Sequence, residues 1–214
     1  VVTSAVVGTN DRLIEQVAQL WITSDDRVVD VTCGEGVFWR SAPKLEVTCS
    51  DIRPTAKADL VADCRNLPYA DGSVDVAVFD PPYQPVHGKP ERNFGVGRSY
   101  ALNTTGRQTM NDVLDLYRDG VRECARVLAP GTGRLMVKCQ DMTYNHRLHL
   151  VHLDVIRIMA AAGVDLADMF VLVNTSRMPQ PTKRQQRAHR AHSYLLVGVM
   201  SAQRSLFDRL DETS

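Results

Sequence analysis

Short runs of β-branched residues alternate along this chain with segments of helical period, and that alternation limits the fold more than any other feature. Strands are read at Arg27 to Thr32 (RVVDVT), Leu45 to Asp51 (LEVTCSD), Ala58 to Ala62 and Val74 to Asp80 (VDVAVFD). Three more follow at Arg134 to Cys139 (RLMVKC), Leu166 to Asn174 and Ser193 to Met200. Between them lie a helix from Asn10 or Asp11 to about Trp21, with Leu13, Val17 and Leu20 on one face, and a short turn of helix through Phe38 and Trp39. Later helices run from Met110 to Leu128, closed by Pro130 and Gly131, and from His149 to Ala162, ended by Gly163. Strands alternating with helices predict an α/β fold: a mostly parallel seven-stranded sheet with helices on both faces. The last two strands, joined without a helix, are expected to form an antiparallel edge.

A length of 214 residues suits one domain, and 1–214 is read as a single domain with no separate target-recognition unit. With 44% hydrophobic and 23% charged residues the composition is that of a globular protein. No apolar run reaches the roughly 18 residues of a membrane span, and Val1 to Asn10 lacks the basic start and apolar stretch of a secretion signal. The five cysteines, at 33, 49, 64, 124 and 139, form no CxxC pair. Their odd number argues against a disulfide framework or a zinc ribbon. Reduced thiols and a cytoplasmic location are the expectation.

Two motifs carry chemistry. Asp30-Val31-Thr32-Cys33-Gly34-Glu35-Gly36 closes the first of the strands read here, and its glycines let the backbone turn tightly and approach a ligand. Asp51, at the end of the next strand, can accept hydrogen bonds from both hydroxyls of a ribose. The third glycine of a pyrophosphate-binding turn is missing, which favours a nucleoside cofactor without phosphates. A glycine-containing turn with no ligand has the same pattern. The second motif, Asp80-Pro81-Pro82-Tyr83, follows a strongly apolar strand. Consecutive prolines donate no backbone hydrogen bonds and hold the chain extended. The Asp80 carboxylate and the Pro81 carbonyl can then face outward as paired acceptors for an exocyclic amine, with Tyr83 as a stacking face for a base. A strand terminator with a buried tyrosine is the plain alternative.

With these residues the chain resembles the class I, Rossmann-like S-adenosylmethionine-dependent methyltransferases of the amino-methylating group, which act on adenine N6 or cytosine N4 in DNA. The matching residues are the DVTCGEG turn, Asp51, Asp63 in VADCRNLP, and DPPY; the closing strand Ser193 to Val197 is similar too. The resemblance spans roughly residues 27 to 200. It implies that the turn with Asp30, Thr32, Cys33, Gly34 and Gly36 lies along the methionine part of S-adenosylmethionine. Asp51 and the neighbouring Ile52 would meet the ribose side, while Asp63, Cys64 and Leu67 would surround the cofactor's adenine. Asp80, Pro81, Pro82 and Tyr83 would hold the target base. The family's turn carries Pro-Phe where Val31 and Thr32 stand, which leaves the contact of that Phe in question.

The net charge is zero, yet Gln84 to Thr109 holds four basic residues against one acid, and Ser176 to His192 holds five and no acid. Such patches attract polyanions whatever the total. Arg98, Lys183, Arg184, Arg187 and Arg190 are therefore candidate nucleic-acid contacts, and Gln185 and Gln186 could reach base edges. Asn93, Phe94, Arg98 and Tyr100 could order over a bound base; disorder of that segment without substrate is equally compatible. A solvated hairpin would carry the same charges as the second patch. Lys138, at the end of a strand, is a candidate phosphate or cofactor contact; a surface lysine fits equally. His146, His149 and His152 share a three-residue spacing, but no metal is expected. DNA is the expected partner, with RNA as the alternative and no membrane. Adenine N6 is favoured. Cytosine N4, guanine N2 in RNA, a protein amide, an NAD-dependent oxidoreductase and a non-catalytic nucleic-acid-binding module stay open.

Overall fold

The computed structural model describes residues 1–42, 45–54, 57–82, 109–174, 188 and 190–202. Among these residues ten strands and three α-helices follow one another: β1 (Ala5–Gly8), α1 (Asn10–Trp21), β2 (Val28–Asp30), β3 (Val47–Asp51), β4 (Leu60–Val61) and β5 (Val76–Phe79). After these come α2 (Met110–Val127), β6 (Arg134–Cys139), β7 (Met142–Tyr144), β8 (Arg147–His149), α3 (Val151–Ala161), β9 (Val164–Asn174) and β10 (His192–Met200). A short 3-10 turn occupies Val37–Trp39.

Eight strands form one sheet in the order β1-β9-β10-β6-β5-β2-β3-β4. Its centre is parallel: Val28 to Asp30 pair with Val47 to Cys49 on one side and with Val76 to Val78 on the other. Every residue of β2 and β5 is buried, as their continuous apolar runs require of strands covered on both faces. Leu13, Ile14, Val17 and Phe38 cover one face together with Val78, Met136 and Leu195. Val113, Tyr117, Val121, Val155 and Met159 of α2 and α3 cover the other. Helix α2 buries Met110, Val113, Leu116, Tyr117, Gly120, Val121, Cys124 and Val127, a 3.6-residue stripe, and starts at a capping box. In that box the Asp112 amide donates to Thr109 Oγ1 and the Thr109 amide donates to Asp112 Oδ2.

The expected α/β architecture holds, with three differences. The sheet has an eighth strand, β1, because Ala5 to Gly8 lie parallel to Val171 to Asn174; four residues with only Val6 buried leave too weak a pattern to read. The antiparallel strand is not at the edge. β10 lies between β9 and β6 and runs antiparallel to both, and β1 closes that side. A small hairpin, β7–β8, precedes α3. Its turn residues Asn145 and His146 have φ of 47° and 62°, the positive values of a two-residue hairpin turn, without the glycine that usually announces one. Among the described residues no helix is long and apolar enough to cross a membrane.

Candidate active site

Strands β2, β3 and β4 step outward in one direction, whereas the chain then returns to β5 and β6 on the other side of β2. The reversal makes the carboxyl ends of β2 and β5 a topological switch point, and open α/β sheets bind ligands in the crevice at such a point. The two chemistry-bearing motifs of the sequence meet there. After β2 the chain turns through Gly34 and Gly36, at φ of 58° and 66°, in the left-handed region that favours glycine. The turn is held by three backbone bonds, Cys33 N to Ser50 O (3.0 Å), Gly36 N to Cys33 O (3.0 Å) and Lys57 N to Gly34 O (3.2 Å). After β5, the Asp80 amide donates to Thr32 Oγ1 at 2.8 Å, which ties the Asp-Pro-Pro segment to the glycine turn. Thr32 is thus the bridge between the motifs.

Three carboxylates converge on the crevice. Asp30, 1% exposed, accepts from the Thr32 amide (3.0 Å) and from Trp39 Nε1 (2.8 Å). Burial pushes its pKa up to about 7, and the neighbouring Asp80 and Asp51 push in the same direction, against the two hydrogen bonds. The Asp30 carboxylate thus orients the turn through the Thr32 amide and Trp39. Asp51 accepts from the Gly34 amide at Oδ2 (2.9 Å) and from Arg53 N and Nε at Oδ1 (2.8 and 3.0 Å). Asp80 differs from both. Its Oδ1 is enclosed yet has no hydrogen-bond partner among the described residues. Burial raises its pKa, and the charge of Lys138 opposes that rise. Unmatched buried acceptors are rare and costly, and a ligand donor is a common explanation.

The other predicted residues are placed as follows. Cys33 is not a free thiol but is joined to Cys49 by a disulfide, with the two Cα atoms 5.4 Å apart. This overturns the expectation of reduced cysteines for that pair: parallel pairing of β2 with β3 brings together two residues that are 16 apart in sequence. Cys64, Cys124 and Cys139 are free and buried. Cys64 has its thiol pushed up to about 12 by burial, and it and Leu67 are core residues rather than an open wall. Asp63 is paired with Arg65 (2.6 Å). Its loop is stitched to α2, because Glu123 accepts from the Leu67 amide (2.8 Å) and Arg126 donates to the Leu67 carbonyl (3.1 Å). Ile52 is half exposed beside Asp51. Pro81 is buried and Pro82 partly so.

Lys138 is not the surface lysine that its place in the sequence also allowed: it is 1% exposed, and its Nζ donates to Asn10 Oδ1 at 2.6 Å. Arg190 is partly buried and its carbonyl accepts from Gln140 Nε2 at 3.3 Å. Tyr83, Arg98, Lys183, Arg184 and Arg187 lie outside the described residues, as do Asn93, Phe94, Tyr100, Gln185 and Gln186.

Sequence reasoning missed Asn10 and Trp39, whose partners are 128 and 9 residues away and leave no motif. It also missed a polar group beside β6. There His152 Nδ1 meets Asp141 Oδ1 at 2.7 Å, the His152 ring stacks on Tyr194 with centroids 4.5 Å apart, and His192 Nε2 lies 3.2 Å from the Tyr194 hydroxyl. The three-residue spacing of His146, His149 and His152 is visible in the sequence, but nothing in it points to Asp141. No group of three or more metal-ligating side chains gathers among the described residues.

The residues present fit a nucleoside cofactor. A Cβ on Gly36 would meet nothing within 4 Å, so space stands in front of the turn. Asp51 has about four acceptor positions, and all four are engaged internally, one by the Gly34 amide and three by Arg53, the last of them from Nη2 at 3.5 Å. To take both hydroxyls of a ribose it must release Arg53.

No protein-family model matches the chain, and no curated protein matches it by sequence. Solved structures do resemble it. A SAM-dependent methyltransferase from Methanosarcina mazei is 13% identical, with 87% of this chain and 98% of that one covered and a TM-score of 0.54. The (4+2)-cyclase SpnF is 15% identical over 90% of this chain and 82% of that one, with a TM-score of 0.55. Geranyl diphosphate methyltransferase, solved with GPP and sinefungin, is 11% identical over 87% and 77%, with a TM-score of 0.53. The chain has the class I methyltransferase fold. A fold shared by a cyclase and by methyltransferases does not by itself select a reaction.

Proposed function

We propose that this protein is an S-adenosylmethionine-dependent methyltransferase acting on the exocyclic amine of a nucleobase in DNA, with adenine N6 favoured. The observation that carries the reading is Asp80. An enclosed carboxylate oxygen with no donor among the described residues stands at the sheet's switch point, tied through Thr32 to a glycine turn with open space before it.

Asp51, the glycine turn and Ile52 would hold the cofactor, which supplies a methyl group on a sulfonium. Asp80 and the Pro81 carbonyl accept the two N–H groups of the amine. Held in that way, the nitrogen would turn its lone pair toward the methyl group that the cofactor's sulfonium would supply, with the sulfur keeping the electron pair of the broken S–C bond. The methylated nitrogen is acidic and gives up its proton to solvent, so Asp80 need not be a strong base. Positioning supplies most of the rate. Lys183, Arg184, Arg187, Arg190 and Arg98 would neutralise phosphates and hold the strand. A cytoplasmic location suits such a substrate.

The test is transfer of labelled methyl groups to DNA, followed by mass spectrometry of the nucleosides. N6-methyladenine is expected. N4-methylcytosine, N2-methylguanine in RNA or a methylated protein amide would move the substrate while keeping the chemistry. Asp80→Ala should lower transfer at least a hundredfold and leave binding of S-adenosylhomocysteine within about threefold of wild type. Full turnover in that variant would remove Asp80 from the reaction.

A further inference from the structure

We infer that Lys138 is the charge partner that keeps Asp80 ionised, and that Asn10 holds the Lys138 ammonium off Asp80 Oδ1 so that this oxygen stays open to the substrate amine. Strands β5 and β6 are parallel neighbours with Phe79 opposite Val137, so Asp80 and Lys138 are the next residues along the two chains. Lys138 is among the largest fully buried side chains of the protein. A buried ammonium needs both a counter-charge and hydrogen-bond acceptors. The acceptor is Asn10 Oδ1, 2.6 Å from Nζ, on the first residue of α1, and the Phe38 ring lies with its centroid 5.6 Å from Nζ. The counter-charge is Asp80, yet Asp80 Oδ1 receives no hydrogen bond among the described residues. The pair therefore interacts through space across a low-dielectric interior.

Such spacing separates two jobs that a direct ion pair would confuse. A contact ion pair would fill the acceptor oxygen, and an unpaired buried Asp80 would take up a proton and become a donor. A lysine restrained by a neutral amide does neither. The charges act on each other as this requires: burial raises Asp80 and lowers Lys138, and each opposes the other's shift. Among the described residues the other titratable neighbours are Asp30 on β2, which feels the charge of Asp80, and Cys139 on β6, which lies against both Asp80 and Lys138. From α1 and the 3-10 turn the contacts are Asn10 and Phe38, neither of which titrates.

The second half of this inference rests on the reading of Asp80 as the amine's acceptor, while its first half does not. The test is the carboxyl titration of Asp80, followed by carbon-13 NMR on the full chain and assigned by loss of the signal in Asp80→Asn. In Lys138→Met the Asp80 midpoint should rise by at least one pH unit. In Lys138→Arg it should stay close to wild type. In Asn10→Ala it should fall, because the freed ammonium swings onto the carboxylate. Methyl transfer should follow the same signs. Lys138→Met regains turnover as the pH is raised, whereas Asn10→Ala loses kcat at least tenfold at every pH with cofactor affinity unchanged. A merely structural lysine would not move the midpoint in opposite directions in the two variants. An unchanged midpoint in Lys138→Met, or a rise in Asn10→Ala, overturns the inference. If Lys138→Met does not fold, Asn10→Ala and Lys138→Arg decide it. A wild-type protein that methylates no amine defeats the proposed function and the role of the open oxygen, and the titrations still judge the charge pairing.

Discussion

Asp30 shows how one buried carboxylate shapes both the site and its stability. Its folded pKa of about 7 lies above the ordinary value of 3.8. Below that ordinary value the group is protonated in folded and unfolded chains alike and has no effect. As the pH rises from 3.8 toward 7, the unfolded chain releases a proton that the folded one retains, so stability falls through this window and then levels off. The loss is on the order of 4 kcal/mol. Replacing Asp30 by Asn removes this titration and adds a constant cost, since the amide presents a donor to Trp39 or to the Thr32 amide. Chemical denaturation of both proteins from pH 4 to pH 8 should show the wild type losing stability relative to Asp30→Asn as the pH rises. Parallel curves would mean that Asp30 is ionised throughout. Asp80, one strand away, is legible in the sequence because two prolines mark it. Asp30 and Lys138 stand out in the sequence as well, but their partners Trp39 and Asn10 look like ordinary helical positions.

At the scale of elements, helix α2 sets the height of β5 and so the position of the Asp80 segment. Gly120 is the point of closest approach: a Cβ there would sit 2.4 Å from Cζ of Phe79, whose ring already meets Tyr117 edge-on at 5.9 Å between centroids. Alanine at that position gains about 1 kcal/mol of helix propensity but forces the ring or the helix to move, an overpacking cost of roughly 1 to 3 kcal/mol. Gly120→Ala is expected to lower stability by about 1 kcal/mol in urea denaturation and to lower turnover as β5 shifts. A stabilised variant would show that the Phe79 ring yields freely. The loop with Asp63 and Leu67 depends on α2 as well, because Arg126 donates to the carbonyls of Leu67 (3.1 Å) and Tyr69 (3.0 Å) while pairing with Glu123 (2.6 Å). The major helices and strands were readable because their apolar periods repeat over several residues. Strand β1 and the β7–β8 hairpin were not, because four-residue and three-residue strands take their identity from the neighbour they pair with.

For the whole molecule, equal numbers of acidic and basic residues hide an uneven distribution. If the basic segment contacts phosphates, binding to duplex DNA will weaken steeply with salt. Neutralising Lys183, Arg184 and Arg187 should reduce the slope of log Kobs against log salt by about 3, with the Asp80 titration unchanged. Fluorescence anisotropy across a salt series measures this, and an unaltered slope would place the phosphate contacts elsewhere. What the sequence by itself determined was local: the alternation that demands a covered parallel sheet, the glycines that permit the turn, and the prolines that end β5. Only the tertiary structure decided that Cys33 bonds Cys49, that Asp30 is consumed by Trp39, and that Lys138 faces Asn10 inside the protein. The physical reason is range. Backbone preferences and hydrophobic periods act within a few residues, whereas burial and the pairing of charges depend on which strands become neighbours, and a topological reversal between β2 and β5 is written in no single segment of the chain.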